Sequence, residues 1–138
     1  MDSVSVTRTF DAPPDQIREA MADVERFMEG AGFDAVDVDG DAMRIENGFS
    51  IAAIELSLRL VDREGAELAY EQVDGIFDEM WTTYEVTAQN GGTRVTATTE
   101  FSLDVAVIGS LLDATVIKRQ RRRELDAQFD WLETETGE

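Results

Sequence analysis

The chain contains no cysteine and no histidine. The first absence excludes disulfides, a thiolate nucleophile and cysteine-ligated zinc. The second removes the commonest general base and metal ligand. No apolar run approaches the ~18 residues that a membrane-spanning helix needs, so stable membrane insertion is not expected. The opening stretch MDSVSVTRTF has no signal-peptide pattern, and a cytoplasmic location is the expectation that follows. Also missing are a phosphate-binding P-loop, a dinucleotide Gly-x-Gly-x-x-Gly, a Gly-x-Ser-x-Gly elbow and any metal-ligand cluster. Neither a cofactor nor a metal is expected. Basic residues are scarce: 12 Lys and Arg stand against 30 Asp and Glu, and Lys118 is the only lysine.

What is abundant is acid. The net charge is -18, and the carboxylates run from Asp2 to Glu138 rather than collecting in a tail. They mostly alternate with apolar residues, which places them on solvent faces of ordered elements. Such a surface suits concentrated salt, where a Debye length of ~3 Å at 1 M screens self-repulsion. A halophilic protein is therefore expected, with an ordinary acidic protein as the plainer alternative. The same charge argues against attraction to nucleic acid or anionic lipid.

A length of 138 residues fits a single domain over 1–138, able to bury roughly two-thirds of its unfolded surface. From Ser3 to Phe10 apolar and polar residues alternate, with Val4, Val6 and Phe10 on one face, as in a half-buried strand. Asp11-Ala12-Pro13-Pro14 stops it, and proline suits a first helical turn. Ile17, Ala20 and Met21 recur at helical spacing. Asp23 can cap a second short helix, which Gly30-Ala31-Gly32 ends. From Phe33 the period changes to two, giving candidate strands at 34–38, 42–48, 51–62, 66–73, 80–88 and 93–103. Asp39-Gly40, Asn47-Gly48, Glu64-Gly65, Asp74-Gly75 and Asn90-Gly91-Gly92 separate most of them, as in a meander of hairpins. The remainder, about 105–133, reads as one helix roughly 40 Å long, with only Thr134 to Glu138 expected to fray. Its stripe runs Ile108, Leu111, Leu112, Thr115, Lys118 or Arg119, Arg122, Leu125, Phe129, Leu132. The fold class is therefore α+β: a helix-grip fold, with a seven-stranded curved antiparallel sheet around a long C-terminal helix and two short helices after strand 1.

Several stretches carry a family resemblance. They are Phe10-Asp11-Ala12-Pro13-Pro14, Ala22-Asp23-Val24-Glu25-Arg26-Phe27, Tyr70-Glu71-Gln72-Val73-Asp74-Gly75-Ile76-Phe77 with Trp81 after it, and Gly92-Thr93-Arg94-Val95-Thr96. The closing helix, from Gly109-Ser110-Leu111-Leu112 to Trp131-Leu132, completes them. With these features the chain resembles the START/Bet v 1-like (SRPBCC) superfamily, in its polyketide cyclase/dehydrase and lipid transport branch. The Val73-to-Trp81 stretch is similar to coenzyme-Q-binding proteins. The resemblance implies a fold with an internal cavity and carries no catalytic residue onto this chain, since fold does not imply activity.

By parity the sheet turns Asn47, Leu56, Leu58, Tyr70, Tyr84, Thr99 and Phe101 inward, and the helix adds Leu111, Thr115 and Arg122. These residues are the candidate ligand-binding set. The polar ones either find partners among their neighbours or orient a ligand. Arg122 sits in the only basic cluster, 118–123. It is a solvated face with local ion pairs such as Arg122–Asp126 and Arg121–Glu124, a contact to a ligand anion, or an arginine whose stem packs while its head reaches the cavity mouth. A carboxylate pair at Asp37 and Asp39 lies on the outer face by parity. Trp81 and Trp131 read as packing anchors. Three functions stay open. One is binding or transport of a hydrophobic small molecule (a lipid, isoprenoid or quinone). Another is a cyclase or dehydratase, and the last a packed domain acting through protein partners.

Because like charge covers the whole sequence, screening should stabilise the fold. Thermal unfolding between low and molar KCl should show the midpoint rising strongly, and a flat or falling midpoint would contradict the halophilic reading.

Overall fold

The structure, a computed structural model, describes residues 1–49, 52–103 and 114–137. Strand β1 (Asp2–Phe10) buries Val4 and Phe10 and leaves Ser3, Ser5, Thr7 and Thr9 in solvent, as its alternation requires. Helix α1 (Pro14–Ala22) begins on Pro14, whose missing N–H would have had no partner there, and buries Ile17 and Met21. Asp23 then caps α2 (Val24–Glu29), its carboxylate accepting from the Arg26 amide at 3.4 Å. Gly32, at φ 90°, turns the chain out of this helical pair.

Six strands follow: β2 (Ala35–Asp39), β3 (Ala42–Phe49), β4 (Ala52–Leu60), β5 (Leu68–Asp74), β6 (Phe77–Gln89) and β7 (Gly92–Leu103). Every pairing is antiparallel, and the sheet order is β1-β7-β6-β5-β4-β3-β2. Asn90 and Gly91 both have positive φ, 49° and 84°, the geometry that matches a two-residue hairpin to strand twist. The first strand closes onto the last from Asp2↔Phe101 to Phe10↔Thr93. Strand β6 starts three residues before the expected 80, because Gln72 clamps the turn after β5. Its side chain accepts from the Phe77 amide at 3.2 Å and donates to the Phe77 carbonyl at 2.8 Å.

The inner face follows the expected parity. Met43, Ile45, Ile54, Leu58, Tyr70 and Tyr84 are buried on it, as are Val95, Ala97, Thr99 and Phe101. Against this face lies α3 (Ala114–Thr136). The part of the expected helix at 105–113 lies outside the described residues. At its other end α3 runs past the expected stop at 133, with Thr136 Oγ1 bonded to the Leu132 carbonyl at 2.8 Å. Helix α3 packs closely on β1, β7, α1 and α2.

Phe129 anchors that contact. It is fully buried and meets Phe10 edge-on at 5.9 Å between ring centroids. Truncating such a residue removes contacts that the surroundings cannot replace. Phe129→Ala should therefore cost ~3–5 kcal/mol and Leu125→Ala ~2–5 in denaturant unfolding at high salt. Losses within half a kcal/mol, the range of surface substitutions, would contradict this packing.

Candidate functional site

Where α3 stands off from β3, β4 and β5, a cavity of about 50 Å³ remains. Its sheet wall carries Ile45, Ile54, Leu56, Leu58 and Tyr70, with Phe77 and Met80 from β6. Its helix wall carries Ile117, Gln120, Arg121 and Glu124. One water fills roughly 10–15 Å³ on this kind of measure, so the void exceeds a single water several-fold.

The polar groups on the helix wall turn onto one another. Arg121 is 8 % exposed and Glu124 4 %, and Nη1 of the guanidinium donates to Glu124 Oε1 at 2.7 Å. Nη2 donates to the Tyr70 hydroxyl at 3.0 Å and to Thr82 Oγ1 at 3.3 Å. Glu124 Oε2 accepts from Asn47 at 2.6 Å and from Gln120 at 3.1 Å. Burial alone would lower the pKa of Arg121. The facing Tyr70, Glu124 and Tyr84 outweigh it and raise that pKa further, so the side chain stays charged. A second buried bond joins α3 to the sheet deeper in: Tyr84 donates to Gln128 Oε1 at 2.6 Å, and Gln128 donates to the Phe27 carbonyl at 3.2 Å. Burial, with Tyr70 adding to it, pushes the Tyr84 phenol well above its usual range and keeps it neutral.

Of the candidate residues, Asn47, Leu56, Leu58 and Tyr70 come together on the cavity wall. Tyr84, Thr99 and Phe101 are buried in the core beside it. Thr99 pairs with Thr82 at 2.8 Å, and Phe101 packs on Phe77 at 5.3 Å. Leu111 lies outside the described residues. Two placements need correction. Thr115 is exposed, and Arg122 points outward, its Nη1 meeting the Ser5 carbonyl at 3.4 Å. The heptad count back from Phe129 drifts about 20° per seven residues against a straight helix. The buried stripe is instead Ile117, Arg121, Glu124 and Leu125, then Gln128, Phe129 and Leu132.

The sequence pairs Arg121 with Glu124 but sets them on a solvated face, whereas both are buried, and it gives no sign of Gln128. Val116 and Ile117 are the only apolar residues between Thr115 and Glu124. Counting forward from Ile117 at helical spacing reaches 121, 124, 125 and 128. The basic run does not form one face: Lys118 pairs with Asp2 at 3.4 Å, Arg121 is buried, and Arg122 reaches β1. Asp37 and Asp39 are exposed on the outer face, beside an open hollow of about 320 Å³. Its Arg44 and Arg59 are already paired with Glu55 and Glu71, both at 2.6 Å. Trp81 donates to Glu100 at 2.8 Å, and Trp131 packs on Phe27 with ring centroids 6.1 Å apart. No group of metal-ligating side chains occurs among the described residues, and none of their helices is long and apolar enough to cross a membrane.

A cavity between a long C-terminal helix and a seven-stranded sheet can be set beside known proteins. Residues 1–136 match the family described as polyketide cyclase / dehydrase and lipid transport. The chain belongs to this family. Among solved structures, the fold of this cyclase/dehydrase and lipid transport family member is similar to that of TTHA0849 from Thermus thermophilus. That pair shares 18% identity at a TM-score of 0.80, covering 98% of this chain and 97% of the other. It is similar also to Zhui aromatase/cyclase from Streptomyces sp. R1128, at 18% identity and TM-score 0.74 over 96% and 93% of the two chains. A START superfamily protein from Mycobacterium smegmatis aligns at 14% identity and TM-score 0.71 over 98% and 97%. No curated protein sequence matches the chain. At these identities the likeness shows the fold, a helix grip.

The buried ion pair should respond asymmetrically to mutation. Arg121→Met alone strands a buried carboxylate and should cost ~3–5 kcal/mol, whereas Arg121→Met with Glu124→Leu should recover most of that loss. Chemical unfolding of both variants measures this. A single mutant costing under about half a kcal/mol, like a surface change, would mean that Glu124 is not buried.

Proposed function

We propose that residues 1–138 form one binding domain that takes a hydrophobic small molecule between α3 and β3–β6. The observation that carries this reading is the cavity itself, mostly apolar on its sheet side and larger than any single water would fill. At about 50 Å³ it admits the apolar end of a ligand rather than a whole lipid chain. A longer molecule must displace wall side chains, and Met80, with three rotatable bonds, is suited to move. Lipids, isoprenoids and quinones are the candidate classes. Quinones are kept because Ile76 and Phe77, within the stretch resembling coenzyme-Q-binding proteins, line the cavity. The spread of carboxylates supports a cytoplasm rich in salt as the setting.

One observation bears on the rival reading, a cyclase or dehydratase. That chemistry needs an inward base, and Glu124 is the buried carboxylate available among the described residues. Its oxygens already accept from Arg121, Asn47 and Gln120, three of about four acceptor positions. Little of it is left to take a proton from a substrate. Binding is the better-supported function.

A ligand held this way should stabilise the folded state by RT ln(1 + [L]/Kd), about 2.7 kcal/mol at a hundredfold excess over Kd. Thermal-shift screening of fatty acids, isoprenoids and quinones should yield at least one saturable hit. Leu58→Trp, which fills the cavity, should abolish that shift in a protein that still folds. A hit unaffected by Leu58→Trp would place binding elsewhere, and no hit in any class would overturn the reading.

A further inference from the structure

Among the described residues, one buried side-chain nitrogen has no partner: Nε of Arg121. The side chain belongs to the cavity wall and is only 8 % exposed. Its other guanidinium nitrogens are engaged by Glu124, Tyr70 and Thr82. A buried N–H without an acceptor is destabilising, so an acceptor is what this spot lacks.

Charge decides what kind of acceptor fits. The guanidinium already faces Glu124 at 2.7 Å, and this pair is electrically balanced. An entering carboxylate would have to leave water and sit beside the same cation as Glu124, with no further buried cation among the described residues to receive it. A neutral carbonyl oxygen accepts the Nε–H without that penalty. Asn47 and Gln120 spend their amide nitrogens on Glu124, and neither carbonyl oxygen is bonded to Nε.

We infer that the cavity's ligand presents a neutral carbonyl-type acceptor (a ketone, ester or quinone oxygen) to Arg121 Nε, and not an anionic group. This rests on the binding reading above and narrows its substrate class. It also departs from an anion contact at Arg122, one of the readings open from the sequence, because the arginine that faces the cavity is Arg121 and is already neutralised.

The experiment compares 2-decanone with decanoate, which share an alkyl chain and differ in charge, by calorimetry at pH 8 in molar KCl. Decanoate is fully ionised there. The wild-type protein should bind the ketone at least about tenfold more tightly, and the Arg121 Nε–H proton resonance should move saturably with it. In Glu124→Gln the guanidinium loses its counter-charge, and the preference should shift towards decanoate by at least about tenfold. If that variant does not fold, the wild-type comparison decides alone. Equal or tighter binding of decanoate by the wild type overturns the neutral-acceptor inference and leaves cavity binding intact. Ketone binding that leaves the Nε–H resonance unmoved also overturns it. Absence of binding by both probes overturns it, and the cavity reading falls as well if the screen of fatty acids, isoprenoids and quinones also gives no hit.

Discussion

A curved antiparallel sheet has an inner face that must be hidden from water, and one straight helix cannot touch all of it. Here α3 lies against β1 and β7 and is held on its other flank by α1 and α2. Contact there is side chain on side chain, with Phe129 on Phe10 and Leu132 and Leu125 fully buried. The far strands, β3 to β5, curve away beyond the reach of that packing. The gap they leave is the cavity, so the site follows from the geometry of covering a bent surface with a rod.

What α3 places over the gap is not hydrocarbon but a polar cluster, and this sets the chemistry of the cavity. Buried charge is tolerated only when paired and hydrogen-bonded. Arg121 and Glu124 meet that condition through each other and through Asn47, Gln120, Tyr70 and Thr82. Replacing such a network by apolar residues is often no less stable, so its presence calls for a reason other than stability. Fixing the height and rotation of α3 over the sheet is one such reason. Tyr84 and Gln128 do the same further along, where the phenol crosses from β6 to the helix.

Much of this was legible from residues alone. The period of two after Phe33 located all six later strands, and hairpin links such as Asn90-Gly91 made the meander antiparallel. Parity put Tyr70, Tyr84 and Phe101 inside correctly, because a strand's alternation has no drift. The helix was harder. Leu125, Phe129 and Leu132 fix its face near the C-terminus, but a count in sevens carried backwards exchanged Arg121 for Arg122. In a run of six residues with four arginines, composition gives no warning of such a slip. The burial of Glu124 was invisible for a different reason. A buried carboxylate looks like any of the other acids until its partners, distant in sequence at Asn47 or adjacent at Arg121, are placed around it.

The space between α3 and the far strands is proposed as a ligand site. Methyl resonances report on it directly, since Ile45, Ile54, Leu58 and Ile117 line the cavity while Val73 is exposed. Titrating a 13C-methyl-labelled sample with an apolar carbonyl compound should move the cavity methyls saturably and leave Val73 still. Shifts confined to surface methyls such as Val73, or shifts that never saturate, would mean that this space is not a ligand site.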